Sequence, residues 1–511
     1  MSPQILIPIA VTVLCYVLLF TVQLLYRELT YPLRHLSGPQ NPSFIFGNFK
    51  NLANDAELPK KWRDEFGPTF LFKNLFSATC LQTSDLKALN HIIFNSSVYQ
   101  RPPFVNRNRE AMIGPEANSW LLTEIFIEKA VQLREIWTSQ LAQNTGAATR
   151  IDVYSWLRRM TLDIIGQAGF NYDFNALEET EKPNELNQAF TELLHSPNSQ
   201  RNIMFRIVAG IVPALNYVPF PGRKERDNAR TKMFSVAGRI VSDSIRTSDG
   251  AKSFGAKKDL LSVLLRANLS KDIPESQRLS DTEVVSQIPA FFVAGHETTS
   301  TATAWALHAL SLNPNVQAKL RGELFTISSQ NPTMNQLNSL PYLDSVVREV
   351  LRVYSPVPFV DRMAMQDDVL PLSKPYIDKT GKSHDTLLIP KGQIIRLPIL
   401  VIHTDPETWG DDAAEFRPER WEHVPDASSA VPSVWGNLFT FFAGPNNCIG
   451  FRFALVEFKA LLFTLVRGFE FEPAVPKGGI GCTSIGLQSP VAVGEREKGT
   501  GLPILLKLYN A

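Results

Sequence analysis

Apolar positions are not spread evenly along this chain. Residues 5–26 read ILIPIAVTVLCYVLLFTVQLLY, with no charge among them. That run is close to the about 20 apolar residues that cross a bilayer as a helix. A cleaved leader would carry a basic residue ahead of the run and a small-residue cleavage site behind it, and neither is present. Arg27, Arg34, His35, Lys50, Lys60 and Lys61 follow, which sets the C-terminal bulk on the cytoplasmic side. Residues 1–26 are therefore expected to form a single-pass transmembrane signal anchor. Residues 27–48, with Pro32, Gly38-Pro39 and Asn41-Pro42, are expected to be a stiff, extended tether, because Pro and Gly at that density exclude helix.

Beyond the tether the pattern changes to a helical period. Segments 126–137 and 153–165 repeat apolar residues every three to four positions, and helices are expected to dominate 101–312. Short strands are expected at Thr69–Lys73, 387–389 and 393–397. The apolar stretch 203–220 is too interrupted to span a membrane and reads as core or as a surface dipping into lipid. One helix is marked at both ends. Ser280-Asp-Thr-Glu283 is a capping box, and Asn313-Pro314 is a stop. At about 1.5 Å per residue this helix is about 45–50 Å long, and Pro289 predicts a kink near Val285. Its middle reads Ala294-Gly-His-Glu-Thr-Thr299, placing polar groups where apolar ones would pack better.

With 44% hydrophobic and 20% charged residues among 511, the chain can bury a large core. Disorder and a disulfide-stapled scaffold are both excluded. Lys and Arg total 51 against 50 Asp and Glu, so no whole-chain field points to a nucleic-acid partner. Cys15, Cys80, Cys448 and Cys482 are far apart, with no Cys-x-x-Cys pair. That argues against a structural zinc site and for a reducing compartment. The sequons at Asn95 and Asn268 are idle in that topology. The 32 Phe suit a large apolar pocket or core.

The chemistry-bearing motifs are few. His296-Glu297 suggests a zinc protease, but Ser300 stands where the second histidine would be. No phosphate-binding loop, serine nucleophile elbow or dinucleotide-binding glycine motif is present. The strongest local signal is Phe441-Phe-Ala-Gly444-Pro-Asn-Asn-Cys448-Ile-Gly450, just ahead of a helical run. Free backbone N–H groups and the dipole stabilise a thiolate at a helix start. Such a cysteine is a nucleophile, a structural thiol or an axial haem ligand, and nothing marks a general base beside it.

Taken with Glu349-Val-Leu-Arg352, Phe416-Arg-Pro-Glu-Arg420-Trp and the Ala-Gly-His-Glu-Thr-Thr helix, this loop resembles the cytochrome P450 superfamily. The order and spacing agree over essentially the whole chain, and 388–392 and His403-Thr-Asp-Pro406 add to the likeness. The resemblance implies a mainly α fold with small β-sheets (α+β): a triangular haem domain with a long central helix, over 49–511. It implies haem b (iron protoporphyrin IX) held by Cys448, whose thiolate favours O–O cleavage. Phe441 would shield the thiolate, Gly444 and Gly450 would allow close backbone approach, and Arg362 would pair with a haem propionate. Glu297 and Thr298 match the acid–alcohol pair that delivers protons to dioxygen chemistry. The alternative role for the Thr298 hydroxyl is a bond back to a helix carbonyl. Glu349, Arg352 and Arg420 match a buried structural lock. The implied activity is a monooxygenase of the endoplasmic reticulum membrane. It would oxidise an apolar small molecule with electrons from an NADPH-cytochrome reductase.

Two departures stand out. Asn446 replaces the usual cation two residues before the cysteine. The Trp-x-x-x-Arg helix of the family has no counterpart, because Ile113-Gly-Pro-Glu116 runs almost directly into Ala117, and Trp120 is followed four residues later by Glu124. About one helix is expected to be missing near 116–117. Two other readings therefore stay open: a haem-thiolate isomerase or dehydratase, and an impaired, non-catalytic relative with poor haem retention.

Overall fold

The computed structural model describes residues 29–102, 122–144, 147–178, 223–246, 278–483 and 486–509, with scattered positions at 15–26 and 260–265. Most of the expected anchor, the 203–220 stretch and the junction at 116–117 lie outside the described residues. Among the described residues, no helix is long and apolar enough to cross a membrane.

In chain order the principal elements are α1 (Leu58–Phe66), β1 (Thr69–Lys73), β2 (Thr79–Thr83), α2 (Leu86–Phe94), β3 (Tyr99–Gln100), α3 (Leu122–Gln143), β4 (Thr149–Asp152), α4 (Val153–Phe170) and α5 (Arg223–Arg246). They continue with α6 (Asp281–Leu312), α7 (Pro314–Leu324), α8 (Pro341–Val353), β5 (Val360–Ala364), β6 (Asp368–Ile377), β7 (Ser383–Ile389), β8 (Ile394–Leu397), α9 (Phe451–Gly468), β9 (Phe469–Pro473), β10 (Ile480–Cys482), β11 (Pro490–Ala492) and β12 (Pro503–Leu508). The mixture of helices with small sheets is the expected class.

These elements form two compact units. The first draws on Met1–Leu52, Glu57–Arg101 and Val360–Val401. Its sheet runs β1-β2-β8-β5-β3, with β2 and β8 parallel and the other pairs antiparallel, and β6–β7 form a separate hairpin. Trp62, Phe70, Phe72 and Cys80 make a core beneath it. The Pro- and Gly-rich segment expected as a tether is docked on this unit. Leu33 and Leu36 are buried, and Leu71 N–H donates to Ser37 O at 3.0 Å, as does Asn48 N–H to Lys73 O at 2.8 Å. A Cβ on Gly38 would fall 1.8 Å from Leu71 O, so only glycine permits this approach.

The second unit takes 102–359 and 402–511, with 53–56. Its three-stranded sheet, β4-β12-β9, is antiparallel throughout. The core gathers one face each of α3, α4, α6, α8 and α9, with Phe126, Trp137, Leu307, Val347 and Phe458 fully or nearly fully buried. The capping box forms as expected: Ser280 Oγ accepts from Glu283 N–H, and the Glu283 carboxylate accepts from Ser280 N–H. The helix then continues through Pro289 without a break to Leu312, where Pro314 opens α7. A Cβ on Gly295 would lie 2.8 Å from the Ile165 side chain. Glycine there lets α4 and α6 cross tightly beside His296 and Glu297.

Candidate active site

The cysteine loop is built by backbone hydrogen bonds. Phe439–Phe441 and Gly444–Asn446 are single turns of 3-10 helix. Cys448 N–H donates to Phe441 O at 2.8 Å, closing the loop just before α9, whose N-cap is Gly450. Gly444 has φ +64°, in the left-handed region that glycine enters without penalty. The Phe441 ring lies 6.0 Å from both the Trp435 and Phe451 rings. Cys448 is exposed, and a Cβ on Gly450 would meet nothing within 4 Å.

Helix α6 supplies a second open face. Ala294 is exposed and Thr298, one turn on, is half-buried, whereas 299–307 are buried throughout. The Thr298 hydroxyl donates to Ala294 O at 2.7 Å. Glu297 turns the other way, into the protein. Its Oε1 lies 2.8 Å from His296 Nε2 and 3.6 Å from Arg158 Nε on α4. His296 Nδ1 is 2.6 Å from Phe292 O, a contact that requires Nδ1–H. A proton must therefore also lie between Nε2 and Glu297, on one partner or the other.

Glu349, Arg352 and Arg420, expected to act together, are brought into one buried network. Arg352 uses all five of its donors: Nε and Nη2 reach the Glu349 carboxylate at 2.9 and 2.8 Å, Nη1 reaches His403 O at 2.7 Å and Ala413 O, and Nη2 also reaches Glu415 O at 2.9 Å. Arg420 Nε lies 3.4 Å from Glu349 Oε1, and its other nitrogens bind Asp412 and Trp409 O. Trp421 Nε1 and Arg417 N–H complete the Glu349 shell at 3.1 and 2.9 Å. Glu349 and Arg352 are fully buried, the setting in which only complete pairing makes charge tolerable. Asp412 is held below the usual carboxylate range, first by its bond from Arg420.

Arg362 lies on β5 of the first unit, buried, with Nη1 donating to Asp361 O at 3.0 Å. Beside it, Arg396 pairs with the Asp361 carboxylate at 2.9 and 3.1 Å.

Three residues of the second unit escaped the sequence reading. Arg158 faces Glu297 from α4. His403, quoted only as part of a supporting stretch, is fully buried beside the lock. Glu457, on α9, is also fully buried, and neither carboxylate oxygen makes a hydrogen bond. Burial holds its carboxyl well above the usual range. A glutamate inside Leu455-Val-Glu-Phe-Lys-Ala-Leu carries no sequence signal that separates it from a surface position.

The loop and the long helix match known proteins. The family model described as Cytochrome P450 matches residues 95–489. Among curated relatives, cytochrome P450 monooxygenase 205 of Postia placenta is 42% identical, covering 99% of this chain and 98% of its own length. Cytochrome P450 monooxygenase 128 of the same fungus is 44% identical, covering 95% of each. Cytochrome P450 monooxygenase claP of Ampulloclitocybe clavipes is 31% identical over 90% of this chain and 89% of its own. This chain belongs to the cytochrome P450 family and is an oxidoreductase of its monooxygenase class. The family implies a haem, and the donor set fits one: an exposed thiol at a helix start, open space at Gly450, and an open small-residue face on α6.

Proposed function

We propose that the chain is a membrane-anchored haem-thiolate monooxygenase that hydroxylates or epoxidises an apolar small molecule. The observation that carries this reading is the Cys448 loop, fixed by Phe441 O at the start of α9 with open space beside it. Cys448 would be the axial ligand, with Phe441 packed alongside and Gly444 and Gly450 giving room. Arg362 is proposed for a propionate on the resemblance alone. The cofactor would be haem b, held without covalent attachment, since no Cys-x-x-Cys-His segment occurs. When bound, it would supply the activation of dioxygen. This chain's own residues position a hydroxyl, that of Thr298, on the open face and keep the carboxyl of Glu297 on the buried one. An NADPH-cytochrome reductase would supply electrons.

The proposed location is the endoplasmic reticulum membrane, with residues 1–26 as the anchor and the catalytic part cytoplasmic. Besides the 5–26 run, the first unit supports this with exposed Phe44, Ile45 and Phe76. Phe76 N–H donates to Ile45 O at 2.7 Å and Ser77 Oγ to Phe44 O at 2.9 Å, so the three share one surface. Phe76 holds φ +54°, a conformation a bulky side chain rarely adopts. Segments 29–54 and 66–84 contain no Asp or Glu but carry Arg34, Lys50 and Lys73, which suits a headgroup layer.

Reconstitution with the reductase under labelled dioxygen, over a panel of apolar compounds, tests the activity. One labelled atom per product is expected. Turnover without reductase, and with no label, would favour the isomerase reading instead.

One observation favours the impaired-relative reading. The alignment to monooxygenase 205 runs over 538 positions, so at least 27 of them face gaps in a chain of 511. This supports a shortened segment such as the one proposed near 116–117. Haem loss on purification would be its signature.

A further inference from the structure

We infer that His403 is a positioning residue that hands the order of the buried Glu349–Arg352 lock to the loop bearing Cys448. The inference deepens the proposed function and rests on Cys448 as the haem ligand for its consequence, though not for its geometry.

Helix α8 ends at Val353, so the carbonyls of its last turn have no partner within the helix. Two of them are taken up by the segment that precedes the cysteine and by His403. Leu351 O accepts from Thr440 Oγ1 at 3.0 Å. Arg352 O lies 3.2 Å from His403 Nδ1. A carbonyl only accepts, so Nδ1 carries the hydrogen. The other ring nitrogen, Nε2, then has a free lone pair, and it receives Phe439 N–H at 2.8 Å. The backbone of His403 closes the circuit, because its carbonyl accepts from Arg352 Nη1 at 2.7 Å.

From Phe439 the order passes along the loop by main-chain bonds. Phe439 O accepts from Phe442 N–H at 2.9 Å, and Phe441 O accepts from Cys448 N–H at 2.8 Å. Thus one imidazole joins the carbonyl of a lock residue to the turn whose carbonyl fixes the cysteine. The role requires a neutral ring of one tautomer, since an imidazolium cannot accept from Phe439. The surroundings enforce it: burial first, then the Arg352 charge, push the His403 pKa down to about 3. Phe439 is fully buried, so its N–H would otherwise have no water to replace the histidine.

The test uses the full-length chain and two variants that each keep half of the bridge. In His403→Gln, the amide oxygen reaches the place of Nε2 and accepts from Phe439. In His403→Asn, the amide N–H takes the place of Nδ1–H and serves Arg352 O, leaving Phe439 unserved. Site-resolved amide exchange is read at Phe439 and across 439–448. The carbon-monoxide spectrum is read in parallel. Exchange in the loop is expected to be unchanged in the Gln variant and about fivefold to tenfold faster in the Asn variant, the scale of one lost hydrogen bond in a locally opening segment. The thiolate band is expected to persist in Gln and to shift partly to shorter wavelength in Asn.

Equal behaviour of the two variants would overturn the inference. Should both fail to fold, wild-type exchange decides: a slowly exchanging Phe439 amide supports the bridge and a fast one overturns it. A protected loop without any thiolate band would uphold the bridge and instead refute Cys448 as the haem ligand.

Discussion

Glu297 and Thr298 are consecutive, yet they serve opposite sides of α6. Glu297 Oε1 faces His296 Nε2 at 2.8 Å and Arg158 at 3.6 Å inside the protein, while the Thr298 hydroxyl sits on the open face and donates to Ala294 O at 2.7 Å. Successive residues on a helix leave it about 100° apart. An acid and an alcohol side by side in sequence therefore need not touch. Here the acid belongs to a buried cluster with His296 and Arg158, and only the alcohol lies on the open face of the helix.

Thr298→Ala is expected to leave stability nearly unchanged, because the lost bond is a local one to the preceding turn. Reductase-driven electron consumption should persist, while the fraction ending in product falls about a hundredfold, the low end of what a positioned proton-transfer group contributes. Peroxide and product measured against NADPH consumed give the ratio. Normal coupling would remove Thr298 from the proton path.

Arg352→Lys should behave as a severe change despite keeping the charge. An ammonium has three donors on one atom and cannot serve the Glu349 carboxylate and the carbonyls of His403, Ala413 and Glu415 together. A loss of about 3–5 kcal/mol is expected, the scale for breaking a buried ion pair. Denaturant unfolding measures it. A loss below about 1 kcal/mol would place this group among ordinary surface pairs instead.

Glu457 makes stability depend on pH with a definite sign. Its folded-state pKa is raised above the ordinary 4.5. The contribution is complete below pH 4.5 and is lost as pH rises toward the folded value, because only the unfolded chain can ionise freely there. Glu457→Gln removes that slope and should be more stable than wild type at neutral and alkaline pH. Thermal unfolding from pH 5 to 9 compares the two. Parallel curves would mean the carboxyl ionises freely in the folded protein.

Phe44→Glu with Phe76→Glu tests the proposal that this surface of the first unit faces lipid. The double variant should fold normally, both side chains being exposed. Flotation with vesicles containing phosphatidylserine should show the anchor retaining the chain on the membrane. Photo-crosslinking from Ile45 should then lose its lipid adducts relative to wild type. Undiminished adducts would assign the surface to another partner.

Much of the fold was legible because its signals are local. The Ser280 cap and Pro314 stop bound α6, and the short apolar run at Thr69–Lys73 is β1. The Gly444-to-Gly450 loop is legible for the same reason. What escaped depends on tertiary neighbours. Gly38 reads as a tether glycine until Leu71 O is seen against it. Glu297 reads as half of a pair with Thr298 until Arg158 arrives from α4. Lys459 and Glu457 carry no mark of burial in the sequence, yet Lys459 bridges to Asp344 at 2.8 Å and Glu457 is sealed in. Periodicity names a buried face but not what it is buried against, and charge meaning follows from the latter.

The most direct test of the account is the carbon-monoxide difference spectrum of the dithionite-reduced full-length protein, with Cys448→Ala alongside. A long-wavelength Soret band in wild type that vanishes in the variant is the predicted result, showing haem held by the Cys448 thiolate. A blue-shifted band or no haem in wild type, or an unchanged band in the variant, would contradict it.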